Sequence, residues 1–204
     1  MKTMLDLNAF AKEVHAVSVE HGWWESDENN DIDTKVALIH AEWSEALEEY
    51  RAGRPMVWHR CDEAEKDEEP VCVENACDAW ANGDCDICSR GKKPEGIAVE
   101  LVDGCIRILD LMAAKDMHAC FESCGTGTKL GLPQLVAYLH YATAEAGCEL
   151  GELGTQRRAE SWLRNCLAAV REWLEERDVD MDEILRLKHE YNKTRPYRHG
   201  GKRC

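Results

Sequence analysis

Apolar residues recur at the spacing of a helix face in six stretches of this chain, while alternation of period two bounded by turn residues is almost absent. That pattern predicts an all-α fold, since a 3.6-residue period cannot keep one face of a strand buried. The first helix is expected from about Asn8 to His21, with Phe10, Val14 and Val17 on one face and Gly22 closing it. The second starts after Asp33 and stops at Gly53, with Pro55 beyond and a stripe of Val36, Ile39, Trp43, Leu47 and Tyr50. A third opens near Pro94 and runs to about Lys115, turning Ile97, Leu101, Cys105, Ile108 and Met112 inward. Further helices are expected near Pro133 to Ala146, Gln156 to Arg177 and Asp182 to Tyr191.

Two stretches interrupt this plan. Residues 54–93 are rich in Asp, Glu, Cys and Gly with little periodicity and read as a Cys-rich loop insertion. Residues 117–178, containing the glycine-bearing CFESCGTGTKLGL connector, read as an insertion carrying an extra helix pair. With 204 residues and 44% hydrophobic content, the chain is expected to form a single domain over residues 1–204 with a core of its own. No run approaches the roughly 18 apolar residues of a membrane span, and the first residues lack a secretory apolar stretch, so the expectation is a cytoplasmic protein without a membrane partner.

Charge narrows the functional classes. A formal net charge of −15, with basic residues gathered only after Lys188, opposes binding of a nucleic acid polymer. Small anionic substrates stay open, because divalent cations invert the local sign at a carboxylate cluster.

Such a cluster is legible. Glu42 and Glu45 stand three apart on the second helix and share a face, as do Glu100 and Asp103 on the third, where Arg107 and Asp110 continue the row. Any single pair of this kind is common on solvated faces; two pairs beside the apolar stripes of packed helices are not. If those helices pack antiparallel, four carboxylates converge, and like charges about 4 Å apart repel by roughly 4 kcal/mol at an effective dielectric of 20. A cation must then sit among them. Oxygen donors without clustered histidines suit Mg²⁺ or Mn²⁺. A di-iron bundle would need Glu-x-x-His on two helices, which the chain lacks.

Three blocks, ALIHAEWSEALEEYRAGRP, KPEGIAVELVDGCIRILDL and KHEYNKTRPYRHGGKR, in this order resemble the MazG-like all-α nucleoside triphosphate pyrophosphohydrolases. With the first helix and its HGWWES end, they cover roughly half of the chain. The resemblance implies a MazG-like helical bundle that hydrolyses nucleoside triphosphates, ribo- or deoxyribo-, to monophosphate and pyrophosphate in nucleotide-pool house-cleaning. Glu42, Glu45, Glu100 and Asp103 would be its Mg²⁺ ligands and catalytic acids. It also implies a homo-oligomer, dimer or tetramer. The chain departs from the family in the longer path between its two acidic pairs, which closes at little entropic cost.

The basic tail suits a triphosphate, with Lys188, Asn192 and Arg195 as leading substrate contacts and Tyr191, Arg198 and Lys202 behind them. Trp23 is a candidate for stacking on a nucleobase, set against the plainer reading that one of Trp23 and Trp24 is core and the other partly exposed. His40 reads as a helix-packing residue. Cys72, Cys77, Cys85 and Cys88 are a candidate structural Zn²⁺ site, with His59 and Cys61 as spare donors, against the alternative of reduced thiols in an ordinary loop. Cys105 and Cys166 read as core. The alternative functional class is a non-catalytic nucleotide-binding module, or one that docks a protein through the Cys-rich insertion.

Overall fold

A computed structural model describes residues 5–25, 31–60, 71–72, 93–121, 129–151 and 156–201. The described part is mostly helical. In chain order it has α1 (Leu7–Glu20), α2 (Ile32–Arg51), β1 (Trp58–Arg60), β2 (Val71–Cys72), β3 (Pro94–Glu95), α3 (Ile97–Ala114), α4 (Leu132–Leu150), α5 (Gln156–Glu175), α6 (Met181–Lys193) and the short α7 (Arg198–Gly201). No described helix is long and apolar enough to cross a membrane.

Helix starts follow from their caps. The Asp6 carboxylate accepts the free N–H groups of Asn8 and Ala9 ahead of α1, Asp31 accepts from Thr34 at α2, and Asp180 accepts from Asp182 and Glu183 at α6. At α4 a proline in the first turn does the same work by needing no hydrogen bond.

α3 is the centre of the molecule. Fourteen of its eighteen residues are buried, which an amphipathic helix on a surface never reaches, and α1, α2, α5 and α6 all pack on it. Ile97, Leu101, Cys105, Ile108 and Met112 are all in its core, as the periodicity predicts. α4 and α5 pack on each other, α4 also against α2 and α5 against α3. His40 and His140 sit at the α2–α4 contact with parallel rings and their Nδ1 atoms 2.8 Å apart, and nearby the Trp43 indole N–H donates to the buried Thr143 hydroxyl. Cys105 and Cys166 are buried thiols.

α2 and α3 run antiparallel. The segment after α2 meets the start of α3, where Ile97 and Ala98 donate backbone hydrogen bonds to the Pro55 and Met56 carbonyls; earlier in α2, Trp43 lies over Gly104. This approach is close enough that a Cβ on Gly104 would stand 2.2 Å from the Trp43 ring. Only the missing side chain lets the fully buried indole lie flat on α3.

Three expectations change. Pro94 does not open the third helix: it pairs with His59 in a small antiparallel sheet of order β2-β1-β3, and α3 begins only after Gly96. Gly96 has φ +118°, and a Cβ there would meet the Met56 carbonyl at 2.6 Å, so the chain must break direction at this residue. The region 54–93 is therefore not all loop, since β1 and β2 lie within it, with His59 opposite Cys72 in the register. Trp58 anchors this sheet, buried and donating to Glu49. Finally, Tyr50 is 49% exposed, because the buried face of α2 runs through Ile39, Glu42, Trp43 and Ala46 instead. Cys61, Cys77, Cys85 and Cys88 lie outside the described residues, so of the proposed zinc ligands only the backbone of Cys72 is placed.

Candidate metal centre

The α2–α3 seam brings the acids together. Ligand oxygens of Glu42, Glu100 and Asp103 all lie within 4.8 Å of one another, and Glu42 and Glu100 are 5% and 3% exposed. Glu45 is exposed and lines the same cavity, outside this tight trio.

Carboxylates held this close and this dry need countercharge. Two protein cations supply part of it. Arg107, one turn beyond Asp103, donates from Nε to Glu42 at 2.5 Å, while 39% of its side chain stays exposed. Lys188 of α6, 1% exposed, places its ammonium 2.7 Å from Asp103. Burial works against both positive charges, but the neighbouring acids outweigh it and hold both groups firmly protonated.

Glu100 is treated differently. Among the described residues no donor bonds to it, and burial pushes its carboxyl up to about 8, with Lys188 opposing and Asp103 and Glu42 adding to the rise. Burial likewise raises Glu42 against the pull of Arg107. The centre thus has one more carboxylate than it has cations in contact. Oxygens on one octahedral ion stand roughly 3–4 Å apart, so the trio fits a hard divalent ion with waters completing its shell.

The trio borders a cavity of about 290 Å³ that extends along α3 to the ends of α1 and α2. Its walls carry Arg107, Asp110, Lys35, Thr34, Trp23 and, from the C-terminal segment, Asn192 and Arg195. That segment is moored to the end of α1. His21 bridges the Val17 carbonyl through Nδ1 and the Arg195 carbonyl through Nε2, each at 2.8 Å, so both bonds form only when both ring nitrogens carry protons. The Arg198 N–H donates to the His21 carbonyl, and the Tyr197 hydroxyl donates to Glu25.

Of the residues singled out in the tail, Asn192 and Arg195 reach the cavity wall. Lys188 does not: it lies behind Asp103, where no substrate can touch it without displacing that carboxylate. Tyr191 and Arg198 are outside the wall, Tyr191 with the Arg195 guanidinium 5.9 Å from its ring centre, and Lys202 lies outside the described residues. Trp23 lines the cavity and its carbonyl accepts from the Lys35 ammonium at 2.9 Å. Trp24 packs partly buried against the core, with Lys35 over its ring.

Arg107, Asp110 and Lys35 line the cavity beyond the residues that the sequence marks as candidates. The first two carried a signal, being on the Glu100–Asp103 row; Lys35 carried none, because it reaches the cavity only through the way α1 and α2 meet. Comparison of the chain with family models, with curated proteins and with solved structures finds no significant match.

Proposed function

We propose that this protein hydrolyses nucleoside triphosphates to nucleoside monophosphate and pyrophosphate with the help of Mg²⁺ or Mn²⁺. The observation that carries the reading is the convergence of Glu42, Glu100 and Asp103 beside a cavity whose wall also carries Lys35, Arg107, Arg195 and Asn192. A triphosphate repelled by the overall charge of the chain meets here a place where acid groups can hold divalent ions and basic side chains can take the leftover charge. Glu42, Glu100 and Asp103 would hold the ion, with Glu45 positioned to join from the cavity wall.

Bound there, a divalent ion supplies charge neutralisation of the phosphates and lowers the pKa of a nucleophilic water. The chain's own residues do the rest. Arg107 and Arg195 orient phosphate oxygens from opposite elements, and Asn192 donates a neutral hydrogen bond beside them. Glu42 or Glu45 would take the proton of the attacking water. Lys188 holds Asp103 in place from behind. The resemblance of the three sequence blocks to MazG-like pyrophosphohydrolases supports the same reaction, together with a homo-oligomeric state.

The test is pyrophosphate release from a panel of ribo- and deoxyribonucleoside triphosphates with Mg²⁺, and again with EDTA. Metal-dependent release of pyrophosphate is expected for at least one of them, and its loss in the double variant Glu42→Gln, Glu100→Gln with helicity retained. No turnover of any substrate, or full activity in that variant, refutes the proposal.

A further inference from the structure

Asp110 lies two turns beyond Asp103 on α3, about 10 Å along the axis, which is the length scale of a nucleoside. It lines the same cavity, yet its environment is unlike that of the metal-binding acids. His15 donates from Nδ1 to Oδ1 at 2.7 Å, and the Trp24 indole N–H is shared between Oδ1 and Oδ2, at 3.1 Å from each. The carboxylate is therefore locked in orientation by two ring donors, 9% exposed, and retains acceptor capacity at Oδ2, which takes only a share of one N–H.

A fixed carboxylate at the far end of a cavity repels phosphate and needs a donor facing it. If the phosphates lie at the trio, as the proposed function requires, what reaches Asp110 is the base. We propose that Asp110 reads an exocyclic amine of that base, so that the site selects nucleotides of cytosine or adenine over their keto counterparts. The amino group donates to Oδ2; a carbonyl at the same ring position places acceptor against acceptor in a partly dry pocket, where neither is satisfied. Val17, Leu38 and Trp23 supply apolar surface for the ring faces on the way. The inference rests on the hydrolase reading for which end of the ligand lies where, but its readout is separate.

The experiment compares pairs that differ only in amine against carbonyl: dCTP with dUTP, and dATP with dITP, by kcat/KM, together with the binding of dCMP, dUMP, dAMP and dIMP followed through tryptophan fluorescence. The amino member of at least one pair is expected to be preferred by about tenfold or more, the value of one good polar base contact. In Asp110→Asn the side-chain oxygen stays at the Oδ1 position to accept from His15, which turns the amide N–H₂ toward the cavity, so the preference should collapse or reverse. A merely structural Asp110 would lower stability and overall activity without moving that ratio. Equal use of both members of both pairs, or an unchanged ratio in Asp110→Asn, overturns the inference. Should that variant not fold, the wild-type ratios decide alone. Should no triphosphate be hydrolysed, the hydrolase reading fails, and the affinities of dCMP against dUMP and of dAMP against dIMP still decide this one: a preference for the amino member of either pair supports it, equal or absent binding in both pairs overturns it.

Discussion

Replacing Lys188 with methionine measures what the cation behind Asp103 contributes. Methionine keeps the unbranched apolar stem packed and removes only the charge, so the change reports electrostatics rather than a cavity. Asp103, 18% exposed, then loses its partner at 2.7 Å. Breaking a buried pair from one side costs roughly 3–5 kcal/mol because the remaining charge is orphaned; Asp103 borders a cavity, so the lower end, about 3 kcal/mol, is expected. A divalent ion at the trio would supply the missing positive charge. Urea denaturation followed by far-ultraviolet circular dichroism, in EDTA and with Mg²⁺, reads both effects. The variant should lose about 3 kcal/mol in EDTA and recover part of it with Mg²⁺, gaining more from the ion than the wild type does. A loss below about 1 kcal/mol in EDTA would show that the pair is not the strut we describe, given the usual cost of such breakage. A loss unaltered by Mg²⁺ would show that no ion binds next to Asp103.

Two further outcomes are expected. Gly104→Ala should destabilise: helix propensity favours it by about 1 kcal/mol, but a methyl 2.2 Å from the Trp43 ring imposes overpacking of about 1–3 kcal/mol, and a thermal melt that rises instead of falling would contradict the close approach of α2 and α3. Stability in EDTA should fall with rising pH. Glu100 has its carboxyl raised from 4.5 to about 8 in the folded protein, so its contribution is fully present below about 4.5 and is lost as pH climbs through 8. The upper limit is about 5 kcal/mol. Comparing urea midpoints of wild type and Glu100→Gln across that range isolates the effect, and equal slopes for the two proteins would rule it out.

Helices were the most readable part of this chain, because stops such as Gly53 and the inward row of α3 are local signals that each helix carries in itself. Pro94 misled for the opposite reason. A proline is equally at home in a first helical turn and on an edge strand, and what decided was Gly96 and the Met56 carbonyl above it, a contact between distant parts of the chain. The acids of the centre were legible by spacing on two helices. Their countercharges were legible only in part: Arg107 continues the acidic row, but nothing in a linear pattern distinguishes a lysine that faces phosphate from one buried behind an aspartate. Asp110 was visible only as one more member of a row, since its partners His15 and Trp24 come from α1 and the turn after it.

α3 is enclosed on nearly all sides and also bears Glu100, Asp103, Arg107 and Asp110. Its amides can meet solvent only when the surrounding helices come away, so their exchange with deuterium should follow opening of the whole molecule. The candidate centre is therefore mounted on a helix with little freedom to shift. Any adjustment to a ligand has to come from the partners around it: the ends of α1 and α2, and the segment that His21 ties down.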